Sequence, residues 1–330
     1  MAPKISTLRS IILLLLALML SLVTNIQSKP SKQNAFEFIN NVKGCHKGQN
    51  VSGLHHLKQY LENFGYLHND DVVHRNHKHD NNVVANNHAN NDVFDDALES
   101  AVKSYQRNFH LEVTGTLDSA TVKQMTMPRC GIPDVINNNN TKKSTSSDKK
   151  VYKNRKLINF VSHYSFFQGN PRWQKSRLTY RFRSSASAAP GMENVRSACA
   201  SAFQKWARVS HFTFEEVSSS SQADIEIGFH GGNHGDNYPF DGFGGTLAHA
   251  FAPSRGWLHF DADESWSVNP GRNQVDLESV AVHEIGHVLG LGHEPNIPNA
   301  IMYPTFSYGA TKRDLHEDDV RGIRALYGLN

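Results

Sequence analysis

Three histidines and one glutamate lie within residues 283–293, at a spacing suited to a metal-dependent hydrolase. Residues four apart share one face of a helix, so His283 and His287 can bind the same ion. Glu284 follows the first histidine and could reach a water molecule at that ion. Gly290 tolerates a positive φ, so the chain can turn there and return His293 as a third ligand. Three protein ligands leave one position for water, which is typical of a catalytic zinc site.

The alternative is a polar helix that carries solvated histidines. The chain contains 19 histidines, which makes chance spacings more frequent. However, Val280, Leu289 and Leu291 make this segment apolar, and buried imidazoles require polar partners. The pattern therefore favours a metal site.

The extended motif resembles the signature of the metzincin clan. Residues 300–304 (Ala-Ile-Met-Tyr-Pro) resemble its Met-turn, in which Met302 would pack beneath the metal without binding it. Residues 128–134 (Pro-Arg-Cys-Gly-Ile-Pro-Asp) resemble the cysteine switch of the matrix metalloproteinases, or matrixins. No further domain is visible after these motifs, so the chain resembles the short plant-type members that lack a hemopexin domain. The resemblance runs from about Gly44 to the C-terminus and omits two polar inserts.

The resemblance implies a latent zinc endopeptidase. Glu284 would accept the proton of a water that attacks the peptide carbonyl, and would pass it to the leaving amine. Cys130 would hold the open zinc position in the latent form, because a thiolate is a better zinc ligand than water. Arg129 and Asp134 would pair to brace this switch, and a cut between residues 136 and about 159 would release it.

A second cluster lies earlier in the chain, between the switch segment and the first cluster. One carboxylate and three imidazoles can close a tetrahedral zinc site that leaves no open position, which is a structural arrangement. By resemblance the ligands of this structural zinc are His234, Asp236, His249 and His259. His230 lies nearby, matches no family ligand and is expected at the surface.

An acidic, glycine-rich loop follows the second cluster's first ligands and suits calcium, which prefers oxygen ligands. The resemblance implies these calcium ligands: Asp241, Gly242, Gly244, Thr246, Asp261 and Glu264. Acidic turns without an ion are the alternative. Asp224 matches one ligand of a second family calcium site, but the glycine-rich stretch usual there is shortened to residues 254–258.

The N-terminal sequence predicts that the protein is exported from the cell. Lys4 and Arg9 precede an uninterrupted apolar run over residues 11–20, which is typical of a signal peptide, here assigned to residues 1–28. The run is shorter than the roughly 20 residues that span a membrane, and no apolar tail for a lipid anchor is found. We expect secretion into the extracellular space, which is the cell wall or apoplast if the source is a plant.

The spacing of apolar residues divides the rest of the chain into a prodomain, a linker and a catalytic domain. Residues 29–136 predict an all-α prodomain of three helices, with a polar insert at 68–92, which resembles the matrixin propeptide and peptidoglycan-binding-like modules. Residues 137–150 predict an exposed linker. Residues 151–330 predict an α/β (α+β) catalytic domain with a mixed twisted sheet and three helices. The predicted elements are strands at 178–182, 212–217, 223–229, 247–251 and 257–261, and helices at 192–209, 277–291 and 315–327.

Three cysteines leave one without a partner. Cys199 lies on an apolar helical stripe and is expected to be a core thiol, whereas the pairing of Cys45 stays open, including a bridge to Cys199. Asn50 and Asn139 lie in glycosylation sequons.

The sequence therefore predicts a monomeric, secreted zinc endopeptidase that acts on extracellular proteins. The edge strand at residues 245–248 would pair with substrate, and residues 304–308 would line an apolar pocket for the residue after the cut. An activating protease and extracellular protease inhibitors are expected partners. The net charge of +3, from 34 basic and 31 acidic residues, excludes nucleic acid and an anionic membrane as expected partners.

Two other functions remain open. One is a non-catalytic extracellular or cell-wall binding protein with only a structural zinc, which would have no use for Glu284 as a base. The other is metal scavenging by the His- and Asn-rich insert.

Overall fold

The computed structural model describes residues 34–67, 91–135, 164–183 and 191–329. The predicted signal peptide, the linker, Asn139 and almost all of the insert lie outside these residues. Within the described ranges, no helix has the length and apolar character needed to cross a bilayer.

The first part of the chain is helical, as predicted. Its elements are a 3-10 helix at Glu37–Val42, then α1 at Leu54–Asn63, α2 at Asp96–Asn108 and α3 at Ser119–Met125. Asp95 and Asp118 begin α2 and α3, because their carboxylates accept hydrogen bonds from the backbone N–H of Leu98 and Thr121. The apolar faces of these helices form one core of their own.

The second part is a mixed sheet packed against helices, which confirms the predicted fold class. The strands are β1 (Arg129–Cys130), β2 (Arg177–Phe182), β3 (Thr213–Glu216), β4 (Ile225–His230), β5 (Thr246–Ala250), β6 (Trp257–Asp261), β7 (Trp266–Ser267) and β8 (Val275–Asp276). The helices are α4 (Met192–Val209), α5 (Leu277–Val288) and α6 (Glu317–Tyr327). The main sheet has the order β1-β5-β6-β4-β2-β3, and β5 is antiparallel to β6 while the other pairs are parallel.

At one edge of the main sheet, β1 is the outermost strand and covers β5. Strand β1, which carries the predicted switch cysteine, lies parallel to β5. Arg129 N–H donates to Gly245 O over 3.0 Å on one side, and Cys130 N–H donates to Pro304 O over 3.0 Å on the other. The switch segment therefore lies in a groove between the sheet edge and residues 304–306.

Helix α5 is shorter than the predicted span of 277–291. It ends at Val288 because Gly290 adopts φ +104° and the chain reverses there. Leu291 N–H donates to Gly286 O over 3.0 Å, the hydrogen bond that closes such a left-handed helix end. The predicted turn is thus present, and it begins inside the predicted helix.

Helix α5 packs closely on α4 and on the Met-turn. Trp206 of α4 is fully buried, and its Nε1 donates to Val282 O over 2.8 Å. A Cβ atom at Gly286 would overlap Met302 Sδ and press on the Trp206 ring. Glycine is therefore required inside this helix by the space available.

All three cysteines are buried and unpaired, so the described structure contains no Cys45–Cys199 bridge. Cys199 lies in the core of the sheet and helices, as predicted. Cys45 belongs to the separate helical core.

We predict that Gly286→Ala lowers the free energy of unfolding by about 1–3 kcal/mol, because overpacking outweighs the helix-propensity gain of about 1 kcal/mol. Denaturant unfolding of the full chain measures the change. In a Met302→Ala background, which removes the overlapping atom, the cost should shrink. A Gly286→Ala protein as stable as the wild type would contradict this packing account.

Candidate metal centre and its cysteine

The first two predicted ligands are oriented by backbone carbonyls. His283 Nδ1 donates to Ile301 O over 2.6 Å, and His287 Nδ1 donates to Leu291 O over 2.8 Å. Because a carbonyl oxygen can only accept, Nδ1 carries the proton in each ring and Nε2 carries a lone pair. Such outer hydrogen bonds are typical of histidines that bind a metal.

The third histidine joins them, and the cysteine completes the group. His283 Nε2 lies 3.0 Å from His287 Nε2 and 3.3 Å from His293 Nε2. Cys130 Sγ lies 3.4 Å from His287 Nε2, and the ligand atoms of all four residues lie within 4.8 Å of one another. Converging lone pairs repel unless a cation lies between them, so this donor set fits zinc.

Glu284 lies beside this cluster in an unusual state. The residue is fully buried, and neither carboxylate oxygen has a hydrogen-bond partner among the described residues. Burial raises the pKa of Glu284 to about 8, while the Cys130 thiol opposes this shift. A divalent cation nearby would favour the ionised carboxylate. The orphaned oxygens suit a polar ligand such as water between the glutamate and the cluster.

Asp134 does more than the predicted bracing of the switch. Its Oδ1 accepts from Arg129 Nη2 over 2.6 Å and from His293 Nδ1 over 2.8 Å, and its Oδ2 accepts from Tyr66 Oη over 2.7 Å. Burial raises the pKa of Asp134, but Arg129 and His293 outweigh it and lower the value to about 2. The segment just after the switch cysteine therefore supplies the outer partner of the third metal-site histidine.

Two further contacts of the site were not predicted. The Arg129 guanidinium lies 3.5 Å from the centre of the Phe64 ring, a cation–π contact between the switch strand and the helical part. Asp319 of α6 accepts from the backbone N–H of Ile301 over 2.8 Å and of Met302 over 3.1 Å. Asp319 thereby fixes the Met-turn, which in turn supplies the carbonyl that orients His283.

The second predicted cluster is also assembled. Asp236 Oδ2 lies 2.7 Å from His249 Nε2, 2.8 Å from His234 Nε2 and 2.9 Å from His259 Nδ1. Four donor atoms so close together fit a closed tetrahedral ion site. His230, expected at the surface, is half-buried instead, because its ring stacks on His234 with 4.8 Å between centroids.

The acidic loop folds around its own carboxylates. Asp241 Oδ1 accepts from Thr246 N–H over 2.9 Å, and Glu264 Oε1 accepts from Gly244 N–H. Asp261 Oδ2 is buried and has no hydrogen-bond partner in the described chain. Burial raises the pKa of Asp261 to about 6. A buried carboxylate oxygen without a partner suits a hard cation, so calcium at this loop stays a prediction.

Asp224 has a different environment. Its Oδ1 forms an ion pair with Lys175 Nζ at 2.6 Å, and its Oδ2 accepts from Thr179 N–H over 2.8 Å and from Thr179 Oγ1 over 3.0 Å. These partners satisfy the carboxylate without an ion, so nothing in its contacts supports a second calcium. Asn50, the sequon residue within the described ranges, is exposed.

Comparison with known proteins agrees with this geometry. The Matrixin family model matches residues 172–328, and the model described as "Putative peptidoglycan binding domain" matches residues 50–125. Metalloendoproteinase 5-MMP of Arabidopsis thaliana is 42% identical, covering 93% of this chain and 81% of its own length.

Two further relatives extend the comparison. Metalloendoproteinase 1 of Glycine max is 45% identical over 86% of this chain and 85% of its own length. Matrix metalloproteinase-20 of Homo sapiens is 41% identical over 69% of this chain and 41% of its own length. Because the similarity to plant metalloendoproteinases extends over most of both chains, this protein belongs to the matrixin family of zinc metalloendopeptidases.

Proposed function

We propose that this chain is a secreted endopeptidase, made as a latent zymogen, that hydrolyses internal peptide bonds of extracellular proteins. The main support is the position of Cys130 Sγ, 3.4 Å from His287 Nε2 and within one cluster with His283 and His293. In this position the thiol would fill the place that a reacting water needs. The export part of the proposal rests on residues 1–28 of the sequence.

His283, His287 and His293 would hold the catalytic zinc, which when bound acidifies water and polarises a substrate carbonyl. Glu284 would hold the proton taken from the attacking water at its carboxylate and return it to the leaving amine. Apart from the neighbouring Cys130 thiol, its oxygens have no partner within the described chain, so they would be available for this transfer once the thiol has left. Nearby, the closed His–Asp cluster around Asp236 would hold a structural zinc.

The groove that holds the switch would be the substrate site. The outer edge of β5 offers backbone groups that now bind Arg129 and its neighbours. On the other wall, Phe306 N–H donates to Pro128 O over 2.8 Å. An extended substrate could use the same two walls once the switch has left, by adding a strand to the sheet edge.

A non-catalytic binding protein is the weaker alternative. A structural zinc could take Cys130 as its fourth protein ligand, but it would leave the buried Glu284 carboxylate without a role. The similarity to a peptidoglycan-binding model covers residues 50–125, which lie in the helical part that precedes the switch segment.

The role of Glu284 is tested by Glu284→Gln. We predict a loss of peptide cleavage of roughly 10²–10⁴-fold, because the amide cannot accept the proton, while zinc content is unchanged. Peptide cleavage is measured with a fluorogenic peptide and the full chain activated by a thiol-modifying reagent. Metal analysis measures the zinc content. Glu193→Gln at the start of α4 is the matched control. Near-normal turnover of Glu284→Gln would show that another group is the base.

The latency mechanism is tested by Cys130→Ser. We predict cleavage without an activator, because serine is a poorer zinc ligand than the thiolate. A thiol-modifying reagent should activate the wild type and leave this variant unchanged, and Cys199→Ala should remain latent. If Cys130→Ser were as latent as the wild type, a group other than Cys130 would be responsible for latency.

Because Asp134 holds both Arg129 and His293, we predict that its loss makes the zymogen easier to activate. Asp134→Ala removes the partner of the buried Arg129 and of His293 Nδ1, and breaking a buried ion pair costs about 3–5 kcal/mol. The concentration of thiol reagent needed for half activation should fall well below that of the wild type. Asp96→Ala, at the exposed start of α2, is the control. If the concentration of thiol reagent for half activation were unchanged, Asp134 would have no role in keeping the switch in place.

A further inference from the structure

A cavity of about 790 Å³ lies between the start of β2 and the end of α6. It is lined by residues 172–177, by His211 and by Tyr327 and Leu329. None of these residues belongs to the switch segment, to either metal-site cluster or to the walls of the switch groove. A ligand in this cavity would therefore compete with neither the switch nor a substrate.

The base of the cavity is held by hydrogen bonds to the end of the active-site helix. Trp173 Nε1 donates to Val288 O over 2.9 Å, and Tyr327 Oη donates to Leu289 O over 2.8 Å. The backbone N–H of Trp173 donates in turn to Tyr327 Oη over 3.2 Å. Because these groups fix one another, the cavity is formed before any ligand arrives.

The charged side chains that line the cavity are all cationic. Arg172, Lys175 and Arg177 line it and are exposed, and no carboxylate of the described residues is part of the lining. Arg172 donates from Nη1 to Leu326 O over 3.1 Å, at the end of α6, and forms no ion pair within the described ranges. A guanidinium has five N–H donors, so four of those of Arg172 remain for a ligand.

Two carboxylates next to the cavity pair with the other two cations. Asp224 lies 2.6 Å from Lys175 Nζ, and its second oxygen is occupied by Thr179. Glu215 pairs with Arg177, but the side chains are 50% and 72% exposed, respectively. An ion pair exposed to this degree contributes little stability, so Arg177 can exchange Glu215 for the carboxylate of a ligand.

A fourth cation lies close by. Arg324 donates from Nε to Val209 O over 3.3 Å, two residues before His211 of the lining. It is exposed, and no carboxylate in the described part of the chain forms an ion pair with it. Of the four cations around the cavity, Arg172 and Arg324 therefore keep their charge without an anion.

The uncharged groups of the lining favour a sugar polymer over an acidic peptide. Gln174 and Ser176 are exposed and offer an amide and a hydroxyl, and the His211 ring lies 5.2 Å from that of Tyr327. An extended peptide would need a free sheet edge for its backbone groups. Strand β2 lies between β4 and β3 and offers none here. A polymer of uronic acids needs no such edge, because each ring carries only hydroxyl groups and a carboxylate.

We propose that this cavity binds an acidic polysaccharide made of uronic acids, through Arg172 and Arg177. The choice of an extracellular polymer rests on the proposed secretion of the chain. The planar guanidinium groups each bind a carboxylate through two parallel hydrogen bonds, while Gln174 and Ser176 bind ring hydroxyls. Binding at this face holds the protein in an acidic matrix and leaves the metal centre accessible.

The test measures binding of the latent full-length chain to soluble polygalacturonate. The fully methyl-esterified polymer, which has the same rings without the charge, is the matched ligand. We expect the free acid to bind and the ester to bind at least tenfold more weakly, and binding of the acid to weaken as salt is raised. The double variant Arg172→Gln/Arg177→Gln should lose about tenfold or more in affinity, because two charge-assisted contacts disappear.

The control variant Arg183→Gln/Arg255→Gln removes the same charge from exposed arginines outside the cavity. It should bind the polymer like the wild type. Both double variants should cleave a fluorogenic peptide at the wild-type rate after activation by a thiol reagent, which shows that they are folded. If Arg172→Gln/Arg177→Gln does not fold, Arg177→Gln alone replaces it, since that side chain is exposed.

The outcomes separate this inference from the proposed function. Equal binding of the acid and the ester, or an unchanged affinity of the cavity variant, overturns the inference. Equally tight binding of poly-glutamate at the same salt concentration overturns the choice of a uronic acid polymer. Because binding is measured on the latent chain, a protein that binds the polymer and cleaves no peptide overturns only the endopeptidase function.

Discussion

Three imidazole rings present their Nε2 lone pairs to one point, and the protein must hold them there against mutual repulsion. Each ring is fixed through its other nitrogen, and each acceptor comes from a different part of the chain: Ile301 O, Leu291 O and Asp134 Oδ1. The first acceptor depends on Asp319, which fixes the Met-turn, and the second on the helix end at Gly290. The third lies on the switch segment, which follows the helical part in the chain. Correct folding of the catalytic part and docking of the helical part therefore converge on the same three rings.

The same convergence explains how one short segment can block the whole site. Residues 128–131 place a thiol in the histidine cluster and hydrogen-bond both walls of the groove. Gln124 and Met127, just before them, line a cavity that also borders Thr305 and Phe306. Because all of these contacts lie on one continuous stretch, its release would free the metal position, the sheet edge and the cavity together. Under the proposed latency, a cut between the switch and the catalytic part would free the metal site without touching its ligands.

Local spacing made the chemistry of the site predictable. His283 and His287 follow from helix geometry and Gly290 from its conformational freedom, and the cysteine switch followed from a resemblance. The contacts that spacing cannot reveal join distant residues, such as Asp134 with His293 and Asp319 with the Met-turn, because no local pattern encodes them. The same limit affected His230, whose burial depends on ring stacking across the cluster. The predicted helix at 277–291 was too long because the turn at Gly290 uses carbonyls of the last helical residues.

The central claim is that Cys130 shares the histidine cluster with the catalytic zinc in the latent chain. X-ray absorption at the zinc edge of the full-length protein tests it most directly, since sulfur and nitrogen scatter differently. With both clusters filled, the account predicts one sulfur among the eight ligand atoms of the two zinc ions, from four residues in each cluster. That sulfur should disappear in Cys130→Ser. A latent wild-type protein whose zinc has only nitrogen and oxygen neighbours would contradict the account.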